Sequence, residues 1–332
     1  MSADDLHSRA EAVRAGDRRA LARAITLVES TRRQDRDAAL ALLDALMPAT
    51  GGALRLGISG APGVGKSTFI EALGLHLIAD GHRVAVLAVD PSSALGGGAI
   101  LGDKTRMADL AREARAFIRP SPTGGGLGGV ARRTRDAILI CEAAGFDVVI
   151  VETVGVGQSE IAVRDMVDMF ILLIAPAAGD ELQGIKRGIV EIADLLVVTK
   201  ADGELGREAA RTRADYQSAL HLLRPASAHW TPKVLSCSAL EDTGIAEMWQ
   251  AACAFRQAMD GAGEIAARRR AQALHAMWAE VRDGLEAELK ASPEVARRLP
   301  AVEAEVASGT LSPAAAATRL LDAVVGAASK SD

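Results

Sequence analysis

The residues most able to do chemistry lie in three short stretches. Gly60-Ala61-Pro62-Gly63-Val64-Gly65-Lys66-Ser67 follows an apolar run and opens an amphipathic one. A glycine loop set between a strand and a helix lets backbone N–H groups converge on phosphate oxygens, and the helix start adds partial positive charge. Lys66 is then expected to reach the β- and γ-phosphates. Ser67 is expected to ligate Mg²⁺, and Thr68 to belong with the nucleotide-binding residues. Thr199-Lys200-Ala201-Asp202 ends a later apolar run. A carboxylate there can accept both the N1–H and the amino N–H of guanine. Adenine has an acceptor at N1 and would leave Asp202 unpaired, which is how a polar site rejects the wrong base. Ser236-Cys237-Ser238-Ala239, with Leu240 next, fits a loop closing over the base oxygen. GTP is expected rather than ATP.

The third stretch is Glu152-Thr153-Val154-Gly155, where GTPases usually carry Asp-x-x-Gly. The acid orients Mg²⁺ through water and the Gly155 N–H contacts the γ-phosphate. Glu in place of Asp narrows the choice to metal- and cofactor-delivery GTPases. Asp90, in Val-Asp-Pro-Ser-Ser, sits where a related class of dimeric GTPases holds an acid near Mg²⁺ and the attacking water. Asp103 ends the glycine-rich loop 96–102, a candidate switch. The expected metal set is therefore Ser67, Asp90, Asp103 and Glu152. Val156 occupies the position where Ras-like GTPases carry a water-orienting Gln, so slow intrinsic hydrolysis is expected.

These motifs, together with Gly-Val-Gly-Gln-Ser-Glu at 155–160 and Gly-Asp-Glu-Leu-Gln-Gly-Ile-Lys-Arg-Gly at 179–188, resemble the MeaB/ArgK family of GTPases. The resemblance runs from about Gly16 to about Leu285. It implies a homodimeric GTPase that binds methylmalonyl-CoA mutase, gates adenosylcobalamin loading and protects the mutase from inactivation, with the cobalamin held by the partner. It also implies switch roles for Gln183 and Lys186. Thr199 departs from the Asn found in many GTPases and leaves Lys200 and Asp202 in place. The rival readings are a nickel metallochaperone and a kinase. The first needs clustered soft or imidazole ligands, and the six histidines and three cysteines form no such cluster in sequence. The second would normally use ATP, against which Asp202 argues. Asp80-Gly81-His82 approaches a cobalamin-binding pattern but lacks its final Gly, so His82 is expected to be a surface turn residue.

The elements that must position these residues follow from the apolar pattern. Runs at 54–59, 84–89, 117–119, 148–151, 169–174, 195–199 and 234–236 are mostly continuous rather than alternating, as in parallel strands covered on both faces. Amphipathic stretches separate them, so the fold class is α/β, a doubly wound, mostly parallel sheet of the P-loop GTPase type. Residues 1–50 are expected to form a helical extension, with Leu21, Ile25, Val28, Leu40, Leu43 and Leu46 apolar. Residues 51–257 form the GTPase domain and 258–332 a helical arm for dimerisation. In that arm Leu274, Trp278, Val281, Leu285 and Leu289 make one apolar seam, which docks on a partner or second copy, or packs back on its own domain. Ser292-Pro293 and Ser312-Pro313 are expected helix starts.

The chain has 332 residues, 49% hydrophobic and 24% charged, the profile of a soluble globular protein. A net charge of −5 argues against a nucleic-acid partner. The longest apolar run, which takes in Phe170 to Ala178, is far short of the roughly 20 residues a bilayer needs. With no apolar segment near Met1, the cytoplasm is expected. The widely spaced Cys141, Cys237 and Cys253 are expected to be small buried hydrophobes in a reducing compartment.

Overall fold

A computed structural model describes residues 3–89, 107–120, 127–153, 159–176, 187–222 and 226–328. Its centre is a seven-stranded sheet with order β3-β2-β4-β1-β5-β6-β7. The strands are β1 (Leu54–Gly60), β2 (Val84–Val89), β3 (Ala116–Arg119), β4 (Val148–Thr153), β5 (Met169–Ile174), β6 (Leu195–Val198) and β7 (Lys233–Ser236). Every pairing is parallel, in agreement with the continuous apolar runs. Strand β4 extends two residues beyond the expected end and takes in Glu152 and Thr153. A carboxylate is admitted to the last rungs because that is where the sheet meets the phosphate loop.

Helices α1 (Ala3–Arg14), α2 (Arg18–Glu29) and α3 (Arg33–Leu46) precede the sheet. Helix α2 is capped by the Asp17 side chain, which accepts the Ala20 N–H, and it buries Leu21, Ala24, Ile25 and Val28. These join one apolar layer with Leu42 and Leu46 of α3, with Ile138 and Cys141 of α6 (Leu127–Ala143), and with Val149 and Val151 of β4. Leu40 of the expected apolar set is instead exposed.

The opposite face of the sheet packs on α4 (Lys66–Ala79), α5 (Ala108–Arg112) and α10 (Ile245–Gly261), through Phe69, Ile70, Leu73, Leu110, Met248 and Phe255. Helices α7 (Ser159–Arg164), α8 (Arg187–Ile192) and α9 (Gly206–His221) complete the cover.

The chain divides into two compact units, 1–270 and 271–332. Helix α11 (Glu264–Ala291) begins in the first and continues into the second. In the second unit α12 (Pro293–Ala307) and α13 (Pro313–Ala328) both open on proline, and Val295, Val302, Ala316 and Ala323 are buried. Along α11, Leu274, Trp278, Val281 and Leu285 are exposed. Among the described residues no helix is long and apolar enough to cross a membrane.

Candidate functional site: a nucleotide pocket at the C-terminal edge of the sheet

Strand β1 ends at Gly60, and a Cβ there would lie 2.7 Å from the Leu173 carbonyl of β5. Only glycine lets the chain leave the sheet at that point. Gly65 caps α4 with φ of 95°, a left-handed conformation that glycine adopts without steric cost. Between them Val64 is buried and anchors the loop in the core below α4. Lys66 curls back over the loop, its Nζ donating to the carbonyls of Gly60 at 2.7 Å and Ala61 at 3.2 Å. The ammonium is thus held at the loop mouth, where phosphate oxygens would meet both it and the N-terminus of α4. Ala61 is half-buried, Pro62 and Gly63 are exposed, and Thr68 is exposed on the first turn.

The Ser67 Oγ lies 3.3 Å from Oε1 of Glu152, whose side chain is buried at the end of β4. One hydroxyl and one carboxylate, both hard oxygen donors facing one another beside a phosphate loop, suit Mg²⁺, which takes few carboxylates and keeps several waters. Among the described residues no group of three or more His, Cys, Asp or Glu gathers to hold a metal. Asp90, Asp103, Gly155, Val156, Gln183 and Lys186 lie outside the described residues.

The base motif sits at the end of β6, separated from β4 by β1 and β5. Thr199 is buried, and its Oγ1 donates to the Val64 carbonyl at 2.6 Å, tying the phosphate loop to the base motif. Lys200, at φ of 54°, lays its stem across the loop and donates from Nζ to the Gly63 carbonyl at 2.8 Å. The Ala201 N–H is satisfied by the Cys237 carbonyl at 3.0 Å, linking the β6 and β7 loops. Ser238 is fully buried; its hydroxyl donates to Asp202 Oδ2 and accepts the Glu241 N–H at 3.1 Å. The Asp202 carboxylate is thereby held in one orientation at the end of β6. Val64, Gly65, Thr68, Phe69, Thr199, Lys200, Asp202, Cys237, Ala239 and Leu240 line a cleft of about 110 Å³. Leu240 stands 82% exposed at its rim. Burial first and the Asp202 charge second push the Cys237 thiol up to about 12, so it lines the cleft as a neutral group.

A wider groove of about 1370 Å³ runs beside α1 and α2, with Arg9, Arg23, Arg32, Asp17, Glu29 and Asp35 among its walls. It contains none of the motif residues, and its charges nearly balance.

Two features escape the sequence pattern. Cys253 is exposed, unlike Cys141 and Cys237, because it lies on the outward side of α10 while Ala251, Ala252 and Phe255 turn inward. Thr153 Oγ1 donates to Ser59 Oγ at 2.9 Å, with both side chains fully buried. Two hydroxyls in register at the ends of two apolar strands are the signal that could have found the pair. His82 lies in the turn before β2 as expected, bound to Asp147 Oδ2 at 2.6 Å and edge-on to Trp249.

The family model described as "Methylmalonyl Co-A mutase-associated GTPase MeaB" matches residues 21–294. A Caulobacter vibrioides protein described as "Putative GTPase" is 57% identical over 96% of this chain and 98% of its own length. The mouse mitochondrial methylmalonic aciduria type A homolog is 51% identical, over 93% of this chain and 77% of its own length. The GTPase ArgK of Escherichia coli is 50% identical over 91% of each chain. A crystal structure described as an LAO/AO transport system kinase superposes with a TM-score of 0.78 at 42% identity, covering 98% of this chain and 99% of that one. The motif residues gathered at the C-terminal edge of the sheet match this pattern of relatives, and the chain belongs to the MeaB family of P-loop GTPases.

Proposed function

We propose that this GTPase is a chaperone of an adenosylcobalamin-dependent methylmalonyl-CoA mutase, gating cofactor loading and guarding the mutase against inactivation. The observation that carries the reading is the match of residues 21–294 to a family described by its association with that mutase. The mouse relative, named for methylmalonic aciduria, supports it. The cobalamin is held by the mutase.

Within this reading Lys66 and the backbone of residues 60–65 hold the phosphates, and Asp202 reads guanine with Ser238, Ala239 and Leu240 closing over it. Ser67 and Glu152 hold Mg²⁺ together with Asp90 and Asp103, and Gly155 meets the γ-phosphate. A metal held there would neutralise phosphate charge. Slow basal turnover follows from Val156, which has no group to orient water. Gln183 and Lys186 supply the missing stabilisation when the partner docks, a cation offsetting charge that develops in the transition state. The exposed seam of α11 fits assembly as a homodimer.

Adding methylmalonyl-CoA mutase is expected to raise GTP turnover at least about tenfold, equivalent to roughly 1.4 kcal/mol of barrier. The Lys186→Ala variant should lose that increment. No stimulation of the unmodified protein by the mutase would overturn the chaperone reading. Full stimulation of the variant would place the switch elsewhere.

A further inference from the structure

Ser59 and Thr153 are fully buried hydroxyls at the ends of two otherwise apolar strands, joined by a hydrogen bond of 2.9 Å. An apolar pair of the same shape would cost little or nothing there, since replacing both partners of a buried hydrogen bond is nearly neutral. Their position gives them a use. The backbone ladder between β1 and β4 ends at the pair Ile58 and Glu152. One residue further on, Ser59 pairs with Leu172 of β5 and Thr153 with Val89 of β2. Where β1 and β4 part company, the side-chain bond takes the place of the missing backbone rung.

Alternation along β4 makes that rung consequential. Thr153 shares the face of Val149 and Val151, which pack with Val163 of α7. Glu152 shares the face of Val148 and Ile150, which pack with Phe69 of α4, and so it meets Ser67. Fixing Thr153 from one face sets the rotation of the strand end. That rotation sets the aim of Glu152 on the other face. We propose that Ser59 and Thr153 are a positioning pair that holds Glu152 in register with Ser67 for hydrolysis. The proposal rests on the reading of Glu152 and Ser67 as the metal-holding groups.

The test uses full-length protein, GTP turnover, a Mg²⁺ titration and GDP binding. Thr153→Val is expected to lower kcat at least about tenfold and to raise the Mg²⁺ concentration for half-maximal rate. GDP affinity should stay within about threefold, because the phosphate loop and base motif are untouched. Thr153→Ser keeps the hydroxyl and should restore most of the rate and the Mg²⁺ dependence. Ser59→Ala combined with Thr153→Val leaves no unpaired hydroxyl, so it should fold, and it should be no slower than the slower single variant. If Thr153→Val alone proves unstable, the double variant carries the same expected loss of kcat. Wild-type kcat and Mg²⁺ dependence in a folded hydroxyl-free variant would overturn the proposal. So would a Thr153→Ser variant as slow as Thr153→Val, or single effects that multiply. Glu152→Gln separates the two claims. Wild-type turnover there removes both the metal reading and the pair's purpose. Lost turnover there, with normal Thr153→Val, removes the pair alone.

Discussion

The two edges of the sheet solve opposite problems with the same residue types. At the N-terminal edge, buried charges are closed off against one another. Asp168, fully buried before β5, accepts the Arg55 N–H at 2.9 Å and takes Arg269 from α11 on both oxygens, at 2.7 and 2.5 Å. Asp194, before β6, accepts the Phe170 N–H at 2.8 Å and two nitrogens of Arg268 at 3.3 and 3.4 Å. Glu142 binds Arg55 through both oxygens and also accepts the Gly51 N–H. At the C-terminal edge, Lys66 donates to the Gly60 and Ala61 carbonyls, Ser67 meets Glu152, and Asp202 accepts from Ser238 beside a small cleft. Charge closed upon itself holds structure, whereas charge held by loop carbonyls and hydroxyls is available to a ligand. Bidentate ion pairing thus marks the scaffold, and charges held by neutral partners mark the candidate site.

The sharpest way to break the comparison is to damage the scaffold edge. Asp168→Ala removes the shared acceptor of the Arg269 guanidinium and the Arg55 N–H, and loss of one partner of a buried pair costs about 3–5 kcal/mol. Urea unfolding should show that loss, while GTP affinity of the folded fraction stays unchanged. Normal stability would mean that the network is decoration.

Next in size, Asp202→Asn should weaken GTP binding at least about a hundredfold, roughly 2.7 kcal/mol. It should also gain affinity for xanthosine triphosphate, because the amide can donate to the base oxygen that replaces guanine's amino group. Titration with both nucleotides checks this, and unchanged GTP affinity would remove Asp202 from the base site. The urea midpoint should barely move.

The smallest effect concerns Glu264 in the first turn of α11. A hydrogen bond from His229, then one from Ser227, holds its carboxyl below the usual range. A depressed carboxylate contributes stability above its unfolded pKa and loses it as pH falls through the folded value. Glu264 is partly exposed, so solvent screening keeps the contribution under about 1 kcal/mol. Glu264→Gln should therefore lower stability by under about 1 kcal/mol at neutral pH, with the deficit fading as pH falls through the carboxylate range, where Glu264 itself takes up a proton. A large change at neutral pH would mean that the root of α11 depends on this contact more than on Arg268 and Arg269.

Much of this is legible in the sequence, for definite reasons. Parallel strands buried on both faces write themselves as apolar runs, and six of the seven match to within a residue or so at each end. Phosphate loops demand glycines at fixed spacing, so residues 60–67 announce both position and purpose. Side-chain pairing across the chain leaves no such mark. Asp168 and Arg269 are 101 positions apart, and Asp194 and Arg268 are 74 apart. Nothing local distinguishes them from solvated charges. Strand β4 outruns its apolar pattern because a carboxylate reads as an exit from the sheet. Glu152 is instead buried within the strand's last two residues. The seam of α11 is visible by its spacing, whereas its exposure on the chain is not.

That seam also gives the protein an optical gauge of its own. Of the three tryptophans, Trp230 is 8% exposed and its indole N–H donates to the Asp194 carbonyl at 2.7 Å. Trp278, on α11, is 56% exposed. The first should emit at short wavelength and resist a dissolved quencher until the sheet unfolds. The second should emit at longer wavelength and be quenched freely until something covers it. A blue shift and quencher protection that depend on Trp278, without change at Trp230, would time any covering of the seam in unlabelled protein.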